Sequence, residues 1–283
     1  MRVSLAQILG GADLGNYAVI APDFTSLSMA KVMIETAEEV NAPLILSYST
    51  QFKPIMDVKR YDTFIRIIRD EVEAASIPIC LHLDHAESLS DIQEAVEAGF
   101  CSVMIDASTQ PWEVNIDNTI NAVEIAHPHG VSVESELGQI MVGEGYYKQD
   151  KVDALFTDPE KAKEFVEITR IDALAIAIGN VHGSYQGDPI IDFDRLQKIN
   201  RLVSVPLVLH GSSGIGEENL SRAIQMGIRK INLYSELIHS AHTNLLQSLK
   251  NDFGNPIKLN QAHELGIKST LRSYLGFSGS TSD

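Results

Sequence analysis

Eight short apolar runs of β-forming residues recur along the chain, bounded by turn residues, at Tyr17–Ala21, Pro43–Ser47, Ile79–Leu83, Ser102–Ile105, Val131–Val133, Ala173–Ala177, Pro206–Leu209 and Lys230–Leu233. Amphipathic stretches of helical period lie between them, among them Ser28–Val40, Tyr61–Ala75, Leu89–Ala98, Val114–His127, Pro159–Thr169 and Glu217–Met226. Strand and helix alternating in one unit read as parallel α/β, and eight repeats favour a closed (β/α)8 TIM barrel over an open doubly wound sheet. With 283 residues, 44% of them hydrophobic, the chain can bury one large core, so residues 1–283 are expected to form a single barrel domain. Two segments depart from even spacing. Gly138–Asp158 is long for a strand-to-helix loop and polar, which marks a candidate active-site flap. The tail from Asp252 carries a further helical stretch, Asn260–Tyr274, expected to cover a barrel face or a neighbouring subunit.

Charge and cysteine usage exclude several function classes. Lys and Arg number 22 against 38 Asp and Glu, and a net charge of −16 argues against a nucleic-acid partner. Such an excess of acid is ordinary for a solvated surface and also suits a salt-rich habitat. Cys80 and Cys101 both sit in apolar runs, as buried thiols of a reducing compartment do. The first residues lack the apolar core of a signal peptide, and no run approaches the ~18 apolar residues of a membrane span. A cytoplasmic protein without membrane partners is expected.

In a barrel the reactive groups lie at the C-terminal ends of the strands. Here those ends read His82-Leu83-Asp84-His85, Met104-Ile105-Asp106, Glu134-Ser135-Glu136-Leu137-Gly138, Gly179-Asn180-Val181-His182-Gly183 and Leu209-His210-Gly211. A lone histidine at a strand end is usually structural. Three from separate rigid strands, with carboxylates at the same face, match the open three-ligand site of a catalytic Zn²⁺. His85, His182 and His210 are the candidate ligands. His82, two residues before Asp84, serves to orient it. His127-Pro128-His129 follows a helix and reads as a turn, while His239, His242 and His263 fall in helical stretches. Small residues and hydroxyls follow the last three strands, in His182-Gly183, His210-Gly211-Ser212-Ser213-Gly214 and Asn232-Leu233-Tyr234-Ser235. Barrels commonly bind phosphate there, through backbone N–H groups and a helix N-terminus.

These motifs resemble those of the class II, zinc-dependent aldolases of sugar phosphates, the family of fructose-bisphosphate and tagatose-bisphosphate aldolases. The resemblance spans nearly the whole chain. It is most specific at Leu81-His82-Leu83-Asp84-His85, Ser132-Val133-Glu134-Ser135-Glu136-Leu137-Gly138, Ala175 to Gly183, and Pro206-Leu207-Val208-Leu209-His210-Gly211. It implies that His85, His182 and His210 bind catalytic zinc, that Asp84 is the acid/base on the hydroxyl at the cleaved bond, and that Asp106 and Glu136 serve an inward resting position of the metal. Glu144 falls at the family's flap carboxylate. Ser49, Gly183, Gly211, Ser213, Asn232 and Ser235 align with positions that hold dihydroxyacetone phosphate, often beside a monovalent cation, Na⁺ or K⁺. The implied activity is that of an aldehyde-lyase, reversibly cleaving a ketose 1-phosphate or 1,6-bisphosphate through a zinc-stabilised enediolate, in a homodimer or homotetramer.

The departures concern the other half of the substrate. The family usually has Asn where Asp23 stands and Gly-Gly where the flap reads Met141-Val142. Fructose-bisphosphate enzymes have an acidic residue at Tyr234 and Gly-rich sequence at Gln51-Phe52-Lys53. Asp23, Gln51, Lys53 and Tyr234 are therefore candidates for the distal side, where Lys53 either meets an anion or is plain surface. Glyceraldehyde 3-phosphate, a semialdehyde from inositol breakdown and a sulfonated three-carbon aldehyde (from a 6-sulfo-fructose 1-phosphate) all remain compatible. A metal-dependent barrel hydrolase fits less well, because Ile20-Ala21-Pro22-Asp23 lacks the His-x-His pair such enzymes carry after the first strand. A non-catalytic sugar-phosphate-binding protein fits poorly with an intact set of Asp84, Glu144 and three histidines.

Overall fold

A computed structural model describes residues 1–54, 61–142, 155–183, 189–251 and 255–281. In chain order it contains α1 (Leu5–Gly15), β1 (Val19–Pro22), α2 (Leu27–Glu39), β2 (Leu44–Ser49), α3 (Tyr61–Ala74), β3 (Ile79–Ala86), α4 (Leu89–Ala98), β4 (Ser102–Ile105), α5 (Trp112–Ala126) and β5 (Ser132–Leu137). There follow β6 (Met141–Val142), α6 (Pro159–Thr169), β7 (Ala173–Ile176), β8 (Val181–His182), α7 (Phe193–Leu202), β9 (Leu207–Leu209), α8 (Glu217–Gln225), β10 (Ile228–Leu233), α9 (Ser235–Asn251) and α10 (Pro256–Phe277). The strands β1, β2, β3, β4, β5, β7, β9 and β10 close in that order into a barrel, β10 pairing in parallel with β1. The short β6 and β8 pair with each other outside it.

Local sequence explains the elements. Every residue of β2 and β3 is buried, as expected where helices cover one face of a parallel sheet and the lumen the other. Ser26, Ser88 and Asp158 cap the helices that follow them by accepting from backbone N–H groups of the first turn. Strands three and five run further than their apolar cores: β3 continues to Ala86 and β5 to Leu137. The polar strand ends are thus part of the sheet, which gives their side chains a fixed direction.

Two helices lie outside the eightfold repeat. Leu5, Ile8, Leu9 and Ala12 of α1 are buried, and α1 packs against β1, β3, β5 and β10. A helix that touches strands from around the barrel lies across its opening, and α1 closes the N-terminal end. At the other end of the chain, α10 packs on α2 and α9 along the outer wall, not over a barrel face. Gly266 allows the close approach of α9 and α10, since a Cβ there would lie 2.5 Å from the Ala241 Cα. No helix among the described residues is long and apolar enough to cross a membrane.

Candidate active site

The C-terminal mouth collects the polar strand ends, and its geometry begins with a kink in β3. His85 takes a left-handed backbone conformation, φ 48°, where the register with β4 shifts between Leu83 and Ala86. Such a conformation costs a residue with a Cβ about 1–2 kcal/mol, and the Thr50 hydroxyl holds it by donating to the His85 carbonyl at 2.5 Å. The kink breaks strict alternation, so that the neighbours Asp84 and His85 both face the mouth. His182 comes from β8, fixed against β6 at the root of the expected flap. His210 follows β9, where Gly211 has φ 59° and a Cβ would meet the Val181 carbonyl oxygen at 2.3 Å. Asn180 buttresses this corner, its side-chain amide donating to the carbonyls of His210 and Ile176.

The three imidazoles converge. Their ligand atoms lie within 4.8 Å of one another, with ring centroids 5.0 Å (His85–His182), 4.7 Å (His85–His210) and 6.0 Å (His182–His210) apart. His85 Nδ1 lies 2.8 Å from Asp106, and His210 Nε2 lies 2.8 Å from Glu134. A carboxylate accepts, so each of those nitrogens carries the proton, and lone pairs on His85 Nε2 and His210 Nδ1 face each other across 3.0 Å. Two lone pairs at that distance repel unless a cation joins them. A proton is one such cation. Burial lowers the pKa of His85, but Asp84, the hydrogen bond to Asp106 and Glu136 outweigh it and bring the pKa up to about 10. His182 goes the other way, to about 3, through burial and then the charges of His85 and His210, and so keeps its lone pair. A divalent ion suited to imidazole satisfies all three nitrogens at once, so the residues fit Zn²⁺.

Carboxylates surround this centre. Burial pushes the Asp84 pKa up, but His85, the neighbouring His82, His210 and Lys230 hold it well below the usual range. The Asn232 amide also donates to Asp84, at 3.1 Å. His85, Asp106 and Glu136 form a second group with metal-ligand spacing. Glu136 is buried with no hydrogen-bond partner on Oε2 among the described residues, and burial followed by Asp106 raises its pKa to about 8. Beneath lies a buried network in which Lys230 Nζ reaches Glu134 at 2.6 Å and His82 Nε2 at 3.1 Å, while His82 Nδ1 meets Ser102 at 2.8 Å. Lys230 thus fixes the Glu134 carboxylate that sets the tautomer of His210.

Residues 3–283 match the family profile "Fructose-bisphosphate aldolase class-II". The chain belongs to this family. Among solved structures, the YdjI aldolase of Escherichia coli superposes with a TM-score of 0.87 at 32% identity, covering 99% of this chain and 98% of that one. A Coccidioides immitis protein assigned as a fructose-1,6-bisphosphate aldolase gives 0.85 at 29% identity, with coverages of 98% and 96%. The fructose-bisphosphate aldolase of Campylobacter jejuni gives 0.84 at 22% identity, with coverages of 99% and 96%, and speaks for the fold alone.

In this aldolase the mouth pocket is lined by Asp23, Ser49, Gln51, Asp84, His85, His182, Gly183, His210, Gly211, Ser213, Asn232, Tyr234 and Ser235, together with Phe52, Ser212 and Leu233. Ser213 lies against the start of α9, where its hydroxyl accepts from the Glu236 N–H at 3.2 Å. Asp106 and Glu136 stand behind His85, outside the pocket lining. Lys53 corrects the expectation of an anion contact. Its ammonium is held by Asp91 at 3.0 Å and Glu94 at 2.9 Å over the Tyr61 ring, away from the pocket, because α4 presents two carboxylates to it. Glu144 lies outside the described residues, as does most of the expected flap. Strand-end position alone assigned no role to Glu134, Lys230 and Asn180, although Glu134 and Asn180 fall within the strand-end motifs. The signal for the first two was parity: Glu134 shares a strand face with Glu136, and Lys230 with Asn232.

Proposed function

We propose that this aldolase reversibly cleaves a ketose 1-phosphate or 1,6-bisphosphate to dihydroxyacetone phosphate and an aldehyde, with Zn²⁺ held by His85, His182 and His210. The observation that carries this reading is the convergence of three imidazoles, two with their outer nitrogens already committed to carboxylates, beside an ionised Asp84 in one pocket. Zinc held there would supply a Lewis acid for the negative charge that develops when the carbon–carbon bond breaks. Asp84 takes the proton from the hydroxyl on the carbon that becomes the aldehyde, and Asn232 holds its carboxylate in place. Glu144 returns a proton to the triose fragment. Ser49, Gly183, Gly211, Ser213 and Ser235, with the N-terminus of α9, receive the phosphate, beside a monovalent cation. Asp106 and Glu136 offer the metal an inward position with His85. The enzyme works in the cytoplasm as a dimer or tetramer.

The test is release of dihydroxyacetone phosphate from a panel of ketose phosphates, coupled to its dehydrogenase, before and after chelation. Loss of turnover on chelation and recovery with Zn²⁺ are expected. Full turnover by protein that elemental analysis shows to be metal-free would remove zinc from the reading, and absence of triose phosphate from every ketose would remove the reaction.

A further inference from the structure

The pocket has two unlike sides. Over β8 and β9 it offers Gly183, Gly211 and Ser213, small residues and a hydroxyl suited to a phosphate. Over β10, β1 and β2 it offers Asp23, Gln51, Phe52 and Tyr234. The Phe52 and Tyr234 rings pack at 4.8 Å between centroids and make this side an apolar wall. Set into it is the Asp23 carboxyl, only 6% exposed, whose Oδ1 has no hydrogen-bond partner among the described residues. The Asp23 backbone is pinned at the strand end, its N–H donating to the Leu233 carbonyl at 3.1 Å. Among the described residues, the pocket lining contains no Lys or Arg. Lys53, the cation nearest in sequence to this wall, is held by two carboxylates of α4.

We propose that the substrate carries one phosphate, on its triose end, and an uncharged, hydroxylated group at the other end, and that Asp23 sets this preference by accepting a hydrogen bond from a hydroxyl of that group. The inference rests on the aldolase reading above and narrows it to ketose 1-phosphates whose aldehyde product is unphosphorylated. In either protonation state Asp23 offers an anion no positive charge. Among the described residues, a phosphate or sulfonate placed against Phe52, Tyr234 and a carboxyl meets no cation to offset the water it loses, which is strongly unfavourable. A neutral polyol end loses less on desolvation, and one of its hydroxyls satisfies the buried acceptor that otherwise stays unpaired.

The experiment is condensation of dihydroxyacetone phosphate with glyceraldehyde or glyceraldehyde 3-phosphate, comparing kcat/KM for the two aldehydes in the zinc-loaded full chain. The expected result is a preference for glyceraldehyde of about tenfold or more, which Asp23→Asn reduces by about tenfold. Lys53→Met should leave the ratio unchanged. A wild-type preference for the phosphorylated aldehyde overturns the proposal, as does a ratio that moves with Lys53→Met. A ratio indifferent to Asp23→Asn overturns the role of Asp23. Solvent deuterium exchange into dihydroxyacetone phosphate, measured on the wild type without aldehyde, separates the two levels. Exchange with the wrong aldehyde preference defeats only this proposal, whereas absence of exchange and of condensation defeats the aldolase reading beneath it.

Discussion

The two ends of the barrel are built on opposite principles. At and just beneath the C-terminal mouth, Asp23, Asp84, His85, Glu134, Glu136, His210 and Lys230 are all buried, and His85 Nε2 lies 3.0 Å from His210 Nδ1. Acid exceeds fixed base there, so the arrangement draws in a cation, a proton or a metal ion. At the N-terminal end the burial is apolar, through Leu5, Ile8, Leu9 and Ala12 of α1. The polar groups of α1 are satisfied locally: Ser4 and Gln7 form a capping box, and Arg229 ties Asp13 and Asn16 to β10. The comparison teaches that this chain concentrates its destabilising charge where chemistry is done and its stability where none is. Damage at the mouth should therefore appear in activity, and damage at the floor in stability.

The largest effect is expected at the metal corner. His210→Ala should lower kcat/KM by about 10⁴-fold or more, because it removes a ligand and leaves Glu134 without its imidazole partner. Elemental analysis should show zinc lost in parallel. A variant that kept both zinc and activity would break the comparison at its centre.

Next in size is the floor. Leu9 is fully buried, and Leu9→Ala should destabilise the fold by about 2–5 kcal/mol, from lost transfer energy and the cavity left behind. Urea unfolding measures this. kcat/KM per folded molecule should stay at the wild-type value, and a fall beyond the unfolded fraction would mean that the two ends are coupled.

A smaller loss is expected where the mouth's support meets its ligands. Glu134→Gln keeps a carbonyl acceptor for His210 but removes the charge that strengthens that hydrogen bond and pairs with Lys230, so zinc affinity should fall by about 10–100-fold. Competition with a chromogenic chelator gives the constant. An unchanged constant would show that the charge of Glu134 is not what holds His210 ready for the metal.

The contrast between the ends was only half legible in the sequence. Eight alternating units imposed the barrel, and the barrel then told which end of each strand to search, so His85, His182 and His210 stood out without any contact being known. Glu134 and Lys230 did not, because a charge within an apolar strand reads as a blemish until closure sets β5, β10 and β3 around one lumen. Lys53 was misplaced for the same reason, since its partners Asp91 and Glu94 lie 38 and 41 residues away. The helix α1 escaped notice because Gly10, Gly11 and Gly15 weaken its pattern, and only the cap at Ser4 marked its start. Interactions across the lumen carry the chemistry, and they are what a one-dimensional pattern shows least.

A further expected effect is one of pH, at the far end from the mouth. Cys101 hydrogen-bonds to Cys80, and although burial opposes it, that bond, the Leu81 N–H and the guanidinium of Arg2 hold the Cys101 thiol below the ordinary range, to about 6. Arg2 Nε lies 3.1 Å from its sulfur. The sign follows from proton counting. Between the depressed folded value and the unfolded value near 9 the unfolded chain binds more protons at this site, so its contribution to stability grows with pH and is lost as pH falls through the folded value. Serine in place of Cys101 abolishes the contribution. The stability of the wild type relative to Cys101→Ser should therefore rise between pH 6 and 9. Zinc affinity also changes with pH, but identically in both proteins, so it cancels in the difference. The kcat/KM profiles should superimpose, because the sulfur sits at the closed end of the barrel. A stability difference that stays flat would mean that Cys101 is buried as a neutral thiol, and the floor would then hold no charge that folding has to favour. A difference that instead falls with pH would reverse the sign of the linkage and require the folded protein to hold the proton more tightly than the unfolded chain.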